Sequence, residues 1–226
     1  MPEVSVIIVN YNVKHFLEQC LYSVQAAARE LATEIIVVDN HSTDGSMAYL
    51  LPKFPDVQFL ENKENLGFAK ACNQGLALAR GRYILFLNPD TIVPEDCFVQ
   101  CIRFIQAHPR AGGLGIRMID GSGKFLKESK RSFPSPLTSL YKLFGLSRLF
   151  PHSKIFSRYH LGHLPEQSNN EVDVLAGAFM MIPRDVLDQT GGEKLLGRGD
   201  LLCDRGRGVE RAQSPYISQE ELRELT

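Results

Sequence analysis

Two carboxylates sit just past short apolar runs. Asp39 follows Glu34-Ile35-Ile36-Val37-Val38, and Asp90 follows Tyr83-Ile84-Leu85-Phe86-Leu87 within Asn88-Pro89-Asp90-Thr91. Pro89 has no N–H and cannot extend a central strand, so the chain must leave a sheet there. Asp90 is thereby held at a strand's C-terminal end, where open α/β sheets place their ligands. A lone carboxylate in that position can ligate a hard divalent cation that also binds phosphate oxygens. The competing expectation is a turn in which Asp90 bonds only nearby backbone. For Asp39 the competing expectation is a helix N-cap or loop turn. A third apolar run, Val4 to Val9, ends in Asn10-Tyr11-Asn12, polar residues where a ligand can meet a strand end.

The elements that would position these groups follow from periodicity. Val4–Val9, Glu34–Val38 and Tyr83–Leu87 are β-branched or aliphatic runs that read as buried strands. Lys14–Arg29 carries Leu17, Leu21, Val24 and Ala28 at helical spacing. Two strands joined through a helix form a parallel βαβ unit. Val57–Leu60 reads as a short strand with Glu61–Gly67 as its exit loop. Phe68–Ala79 reads as a helix whose Ala69, Ala71, Gly75 and Ala77 permit close packing, with Asn65 as its cap and Asn73 needing a partner where buried. Asp96–Ala107 is a further helix, and its Cys97 and Cys101 have no histidine nearby. The first hundred or so residues thus read as β-α-β-β-α-β-α, a nucleotide-binding type of half.

The whole chain sets bounds on this. Its 226 residues suffice for one sizeable domain or a domain with an appendage, and 44% hydrophobic with 23% charged residues is ordinary for a globular protein. A net charge of -1 gives no general pull toward nucleic acid. Five cysteines, odd in number and without a CxxC pair, argue against a disulfide framework or zinc site and for a reducing compartment. The N-terminus shows no leader pattern, and no run approaches the ~20 apolar residues that span a bilayer. The expectation is a cytoplasmic protein, at most peripheral on the inner face of a membrane.

Past Pro109 the pattern weakens. Gly112–Ile116 reads as a strand and Asp120–Gly123 as a hairpin turn. Neither GxGxxG nor GxxxxGK[ST] occurs, which excludes a dinucleotide Rossmann site or P-loop of the usual kind. From Arg117 to Arg158 basic residues interleave with Phe125, Phe133, Tyr141, Phe144, Phe150 and Phe156. Such a segment meets an anionic bilayer, stacks single-stranded bases, or turns its aromatics inward as an ordinary insertion. Val172–Ile182 is the last strongly apolar run, broken by Ala176-Gly177-Ala178, and Pro183 opens a helix. Glu193–Arg211 is dense in Gly, Arg and Asp, Ser218–Glu221 forms a capping box, and residues 193–226 read as a polar tail, disordered or loosely attached.

Five pieces in order, VSVIIVNYN, VVDNHSTDGS, NLGFAKACN, LFLNPDT and VLAGAFMMIPR, resemble the family-2 glycosyltransferases across about residues 3–192. The NPD form with a basic insertion is most similar to their bacterial rhamnosyltransferase-like branch, which builds surface polysaccharides. The resemblance implies an α/β GT-A fold: a Rossmann-like, mostly parallel sheet flanked by helices, with its C-terminal part incomplete. It implies a nucleotide-binding half over 1–110, an acceptor-side half over 111–192 holding the basic insertion 117–160, and an atypical tail. It implies transfer of a sugar from a UDP- or dTDP-linked donor to a glycan or lipid-linked acceptor, with Mg²⁺ or Mn²⁺ and no nucleic acid. Asp90 would hold the metal with the donor diphosphate, Asn88 would lie near the ribose, and Asp39 would bond the pyrimidine. Tyr11 would pack beside the base, and Asn10 and Asn12 would line the same pocket.

One departure matters. After Gly191-Gly192 the family continues with an acidic-aromatic segment and a Glu-Asp pair, whose Asp is the general base of inverting members. Here the chain reads Glu193-Lys194-Leu195-Leu196-Gly197-Arg198-Gly199-Asp200, with no Glu-Asp pair up to Thr226. The tail is read as a truncated or frame-shifted replacement. Asp200 and Asp204 are the stand-ins that chemistry allows. Two alternatives remain: a donor-binding remnant without turnover, and a nucleotidyltransferase, which shares the architecture but carries a Gly-rich basic loop where this chain has Asn10-Tyr11-Asn12.

Overall fold

The structure, a computed structural model, describes residues 1–130, 132, 153, 161–172 and 174–190, and the backbone of 200–204 and 209–213. In chain order the elements are β1 (Val4–Asn10), α1 (Lys14–Ala27), β2 (Thr33–Asp39), α2 (Ser46–Leu50), β3 (Gln58–Glu61), α3 (Phe68–Leu78), β4 (Tyr83–Leu87) and α4 (Cys97–Ala107). A 3-10 turn (Lys127–Ser129), β5 (Phe179–Pro183) and α5 (Arg184–Thr190) follow, then β6 (Asp200–Asp204) and β7 (Val209–Gln213).

The main sheet has the order β3-β2-β1-β4-β5. Its first four strands are parallel and β5 runs antiparallel to β4, as Leu87 pairs with Phe179 and Tyr83 with Pro183. Side-chain alternation gives β1 two buried faces. Val4, Val6 and Ile8 join Leu17, Leu21, Phe98 and Ile102 on the α1 and α4 side. Ile7 and Val9 join Ala71, Cys72 and Leu187 on the α3 and α5 side. Helix α3 sits very close to the sheet at Gly75, where a Cβ would lie 2.5 Å from Ile7 Cγ2. Ala71 shares that face, whereas Ala77 is exposed. Cys97 and Cys101 are both buried in the core rather than on the surface.

Some expectations change. The polar turn after Asp39 leads into a short helix, α2, so the order is β-α-β-α-β-α-β-α. Gly112–Ile116 does not form a strand; only Leu114 bridges Met181, through two backbone bonds of 2.8 and 2.9 Å, and its neighbours make no further pairs with β5. The Asp120–Gly123 hairpin is present, closed by Gly123 N–H to Asp120 O at 2.9 Å, with Gly123 at φ 83°. The apolar run 172–182 yields a strand only from Phe179 onward, and Pro183 ends that strand immediately before α5. Asn65 does not cap α3. Its Oδ1 accepts from Gly67 N–H at 2.9 Å, closing a turn ahead of the helix. Within the tail, β6 and β7 pair antiparallel; the Ser218 capping box lies outside the described residues.

The sheet's lower edge is fastened by one carboxylate. Glu34 accepts hydrogen bonds from Ser5 Oγ and the Arg80 N–H, and its other oxygen pairs with the Arg80 guanidinium at 3.3 Å. Gly81 N–H bonds Ser5 Oγ at 2.7 Å, and a Cβ at Gly81 would meet Ser5 N at 2.5 Å, so the α3–β4 connection lies flat on β1. Burial alone would push the Glu34 carboxyl up, but the bonds from Ser5 and Arg80 outweigh it and the group titrates below its ordinary value of 4.5. A carboxyl depressed in the folded state adds stability above the unfolded value, and that contribution is lost as pH falls through the folded value. Glu34→Gln is expected to lower stability at pH 7 by about 1.5–3 kcal/mol. It should also flatten the fall in stability below pH ~4.5, read from urea midpoints across pH.

Candidate functional site

The exits of β1, β2, β3 and β4 lie side by side along one edge of the sheet, as parallel pairing requires. At β4 the chain turns at once. Asn88 N–H donates to Ala178 O at 3.0 Å, and Thr91 N–H closes a tight turn onto Asn88 O at 3.2 Å. Pro89 takes the second position, which suits its fixed φ. The turn is thus closed by backbone, not by the Asp90 side chain. Asp90 is exposed, and its carboxylate makes no hydrogen bond or ion pair among the described residues. The small Ala176–Ala178 segment lets β5 come this near, and Thr91 Oγ1 also faces Ala178 O at 3.5 Å. From below, Cys20 Sγ of α1 donates to Asn88 O at 3.6 Å. The Cys20 thiol is pushed up to about 12, first by burial and next by the Asp90 charge, against a bond from Thr91 N–H. It is an inert support for the turn, not a nucleophile.

At β1 and β2 the predicted residues meet, in a different arrangement from three free ligands. Asn10 and Asp39 are wholly buried. Asn10 Nδ2 donates to Asp39 Oδ1 at 2.7 Å and to Ser42 Oγ at 3.0 Å. Asp39 Oδ2 accepts from Ser42 N–H at 2.9 Å. Asn12, at φ 57°, accepts from Thr43 N–H at 2.7 Å and donates its own N–H to Ser42 Oγ at 3.0 Å. Asp39 is therefore a loop organiser that ties the β1 exit to the β2 exit; its turn expectation holds, while the N-cap of α2 is Gly45. Asn10 Oδ1 is buried without a partner among the described residues, a spare acceptor at the β1 exit. Tyr11 is 50% exposed above them.

Sequence reasoning missed the next layer. Asn40 and Asn62, the first residues past β2 and β3, are buried, and both bond the α3 side of the crevice. Asn62 Nδ2 donates to Gln74 Oε1 at 2.8 Å, and Gln74 Nε2 returns a bond to Asn62 Oδ1 at 2.9 Å. Asn62 Nδ2 also reaches Asn40 Oδ1 at 3.2 Å, which accepts Leu66 N–H at 3.0 Å. Asn40 Nδ2 donates to Asn65 Oδ1 at 2.7 Å. The available signal was positional: amides directly after successive parallel strands must share one edge. Asn73, by contrast, is half-buried and partnered.

The chemistry divides along this edge. At β4 stands the exposed, unengaged Asp90 carboxylate; past β2 and β3 stand the buried amides of Asn40 and Asn62, beside the buried, fully engaged Asp39 and the exposed Glu61. No group of three or more His, Cys, Asp and Glu side chains gathers among the described residues. A single free carboxylate nevertheless suits a cation such as Mg²⁺, which keeps waters and takes one or two protein carboxylates beside substrate phosphates.

Other features fall elsewhere. A hollow of about 980 Å³ lies at the opposite end of the strands, lined by residues such as Arg80, Arg82, Arg184 and Asp188. The Arg184 guanidinium is already bonded to Gly81 O at 2.9 Å and Ala79 O at 2.6 Å, so size alone does not make this hollow the site. In the basic segment, Arg117 and Lys130 flank the Phe125 ring at 5.5 and 5.3 Å. Lys130 is buried and donates to Leu164 O at 2.6 Å, so it faces inward. Apart from Ser132 and Ser153, residues 131–160 lie outside the described residues, as do the side chains of Asp200 and Asp204. Among the described residues no helix is long and apolar enough to cross a membrane.

The comparisons with known proteins bear on the family and the fold. Over 201 residues the chain is 27% identical to an N-acetylglucosaminyl-diphospho-decaprenol L-rhamnosyltransferase of Mycobacterium tuberculosis, covering 83% of this chain and 63% of that protein. Over 109 residues it is 35% identical to the minor teichoic acid biosynthesis protein GgaB of Bacillus subtilis, covering 46% of this chain and 12% of that one. The chain thus spans less than two thirds of either relative. Among solved structures, a mannosyltransferase from Pyrobaculum calidifontis in complex with GDP-Man and Mn²⁺ superposes with a TM-score of 0.54 at 20% identity, over 86% of this chain and 49% of that one. The fold is that of the GT-A glycosyltransferases. The pattern of Glycosyl transferase family 2 matches residues 5–191, and the chain belongs to that family.

Proposed function

We propose that the strand-exit edge binds a nucleotide-sugar donor, and that the intact site serves sugar transfer to a glycan or lipid-linked acceptor in cell-surface polysaccharide synthesis. The observation that carries this reading is the unengaged Asp90 carboxylate on a rigid turn, in line with buried amides two and three strands away. Asp90 would hold Mg²⁺ or Mn²⁺ against the donor diphosphate; bound there, the metal neutralises charge on the departing diphosphate. Asn88 stands beside the ribose. Asn10 and Asn12 line the base end, and the exposed Tyr11 ring covers it. Asp39 supports that end by fixing Asn10 and Ser42, and a direct bond from it to the base requires the His41–Thr43 loop to move. UDP and dTDP are the donors this reading favours. The relatives' substrates support the acceptor class, and a peripheral contact with anionic lipid through the basic segment belongs to the same reading. Inversion at the anomeric carbon needs a base on the acceptor side, for which Asp200 and Asp204 are candidates by chemistry alone.

A second reading has a specific observation behind it: residues 193–226 hold no Glu-Asp pair. On that reading the chain binds donor without turning it over. Both readings require donor binding, so the first test is calorimetry with UDP or dTDP and Mn²⁺. Binding that a chelator abolishes is the expected result. Chelator-insensitive binding would remove the metal from the proposal, and absence of binding would remove the donor site.

A further inference from the structure

The diphosphate end of the crevice is set by a backbone turn, but the other end is set by something less direct. Neighbouring strands lie about 4.8 Å apart, so the exits of β2 and β3 stand roughly 10 and 14 Å from that of β4. A donor whose diphosphate meets a cation at Asp90 therefore carries its heterocycle over β2 and β3. The wall there is the Glu61–Gly67 loop, whose Asn65 and Leu66 are held by Asn40. Asn40 is in turn bonded by Asn62, and Asn62 is held by two reciprocal bonds to Gln74, a residue on the second turn of α3. Backbone bonds complete the frame: Asn40 N–H to Asn10 O at 2.8 Å and Asn62 N–H to Asp39 O at 2.9 Å.

Every side chain in this chain of contacts is an uncharged amide. Each amide offers both a donor and an acceptor, and none changes charge with pH. Buried amides without partners are costly, so their orientations are mutually fixed. The loop itself has little else to define it. Gly67 sits at φ 83°, nothing lies within 4 Å of where its Cβ would be, and Asn65 and Gly67 are exposed.

We propose that Gln74 and Asn62 are positioning residues for base recognition: through Asn40 they set the Asn65–Gly67 wall that a neutral heterocycle meets, while leaving the diphosphate end untouched. This deepens the donor-site reading and rests on it.

The test compares two ligands on two variants of the full chain, with Mn²⁺ throughout. Gln74→Leu keeps the side chain's bulk and removes both bonds to Asn62. Gln74→Glu keeps its length and removes only the donor to Asn62 Oδ1, which guards against a variant that merely fails to fold. Thermal melting and near-UV circular dichroism establish folding. Both variants should bind UDP about tenfold more weakly than wild type and bind manganese pyrophosphate equally well. The preference for UDP over ADP should narrow by the same factor, which a loss of overall stability would not do. Unchanged UDP affinity in a folded Gln74→Leu overturns the inference, as does equal weakening of UDP and pyrophosphate. If wild type itself binds pyrophosphate with Mn²⁺ but shows no preference among nucleotides, the base wall is not there and the inference falls alone. If wild type binds neither ligand, the donor-site reading fails beneath it.

Discussion

Asp90→Ala is expected to weaken Mn²⁺-dependent UDP binding by at least ~100-fold, the upper range for disturbing even an outer-shell metal partner. The effect is large because, among the described residues, no cluster of three or more His, Cys, Asp and Glu side chains could take over the cation. The Asn88–Thr91 turn that presents Asp90 is closed without its side chain. Removing the carboxylate should therefore leave the fold intact, with a melting temperature near that of wild type. Asp90→Asn separates charge from shape: an amide oxygen keeps the size but binds a hard cation poorly, so it should behave almost like Ala. In each variant the residual binding should no longer respond to chelator. If Asp90→Asn binds UDP and Mn²⁺ as wild type does, the cation lies elsewhere and Asp90 is only the tip of a turn.

Sugar transfer by this chain is expected to fall below detection even where donor binds. A general base typically contributes ~10²–10⁴ in rate. The acidic pair that would supply it is not found between Gly192 and Thr226. Poor positioning of the acceptor multiplies the deficit, because proximity can contribute several further orders of magnitude. With the proposed cation held at Asp90, diphosphate departure would still be assisted, so slow donor hydrolysis by water should survive and should depend on Asp90. The measurement is a radiolabelled-donor assay with lipid-linked acceptors, run beside a chain in which the acidic segment is restored after Gly192. Robust transfer by the present chain, lost in Asp200→Asn or Asp204→Asn, would place the base on β6 and reverse this expectation.

The parts that could be read from residues alone were those governed by strong, local physics. β1, β2 and β4 announce themselves through their apolar cores, Val6–Val9, Ile35–Val38 and Tyr83–Leu87, and α1, α3 and α4 as apolar stripes at helical spacing. Pro89 alone suffices to end β4, and with it the place of Asp90. What escaped depends on long-range partners. Helix α2 is only five residues long, its N-cap is Gly45, and Asp44 organises it through Ser46 and Lys14, a pattern that reads equally well as a polar turn. Gly112–Ile116 has strand-like composition but finds only one residue of β5 to pair with. Asn65 has the composition of a cap, yet Asn40 competes for its oxygen. The Asn62–Gln74 pair is invisible in periodicity because twelve residues and a loop separate its members. Asp39 is legible as a strand-end residue, whereas the engagement of both its oxygens depends on Asn10, twenty-nine residues away, and on the turn taken by Ser42.

The reversed direction of β5 bears on how the chain is made. Until β5 docks, β4 is an edge: Tyr83–Leu87 is entirely apolar, and one side of its backbone stands unpaired. Such an edge is a template for pairing with another chain. Its cover, Phe179–Pro183, is synthesised roughly 90 residues later, about 5–20 s at ordinary elongation rates. Four strands can assemble early on the ribosome, yet they must wait with an adhesive seam open. Yield on expression should therefore respond more to slow translation, or to a stop before residue 183, than equilibrium stability would suggest, and a co-expressed chaperone should help most during that interval.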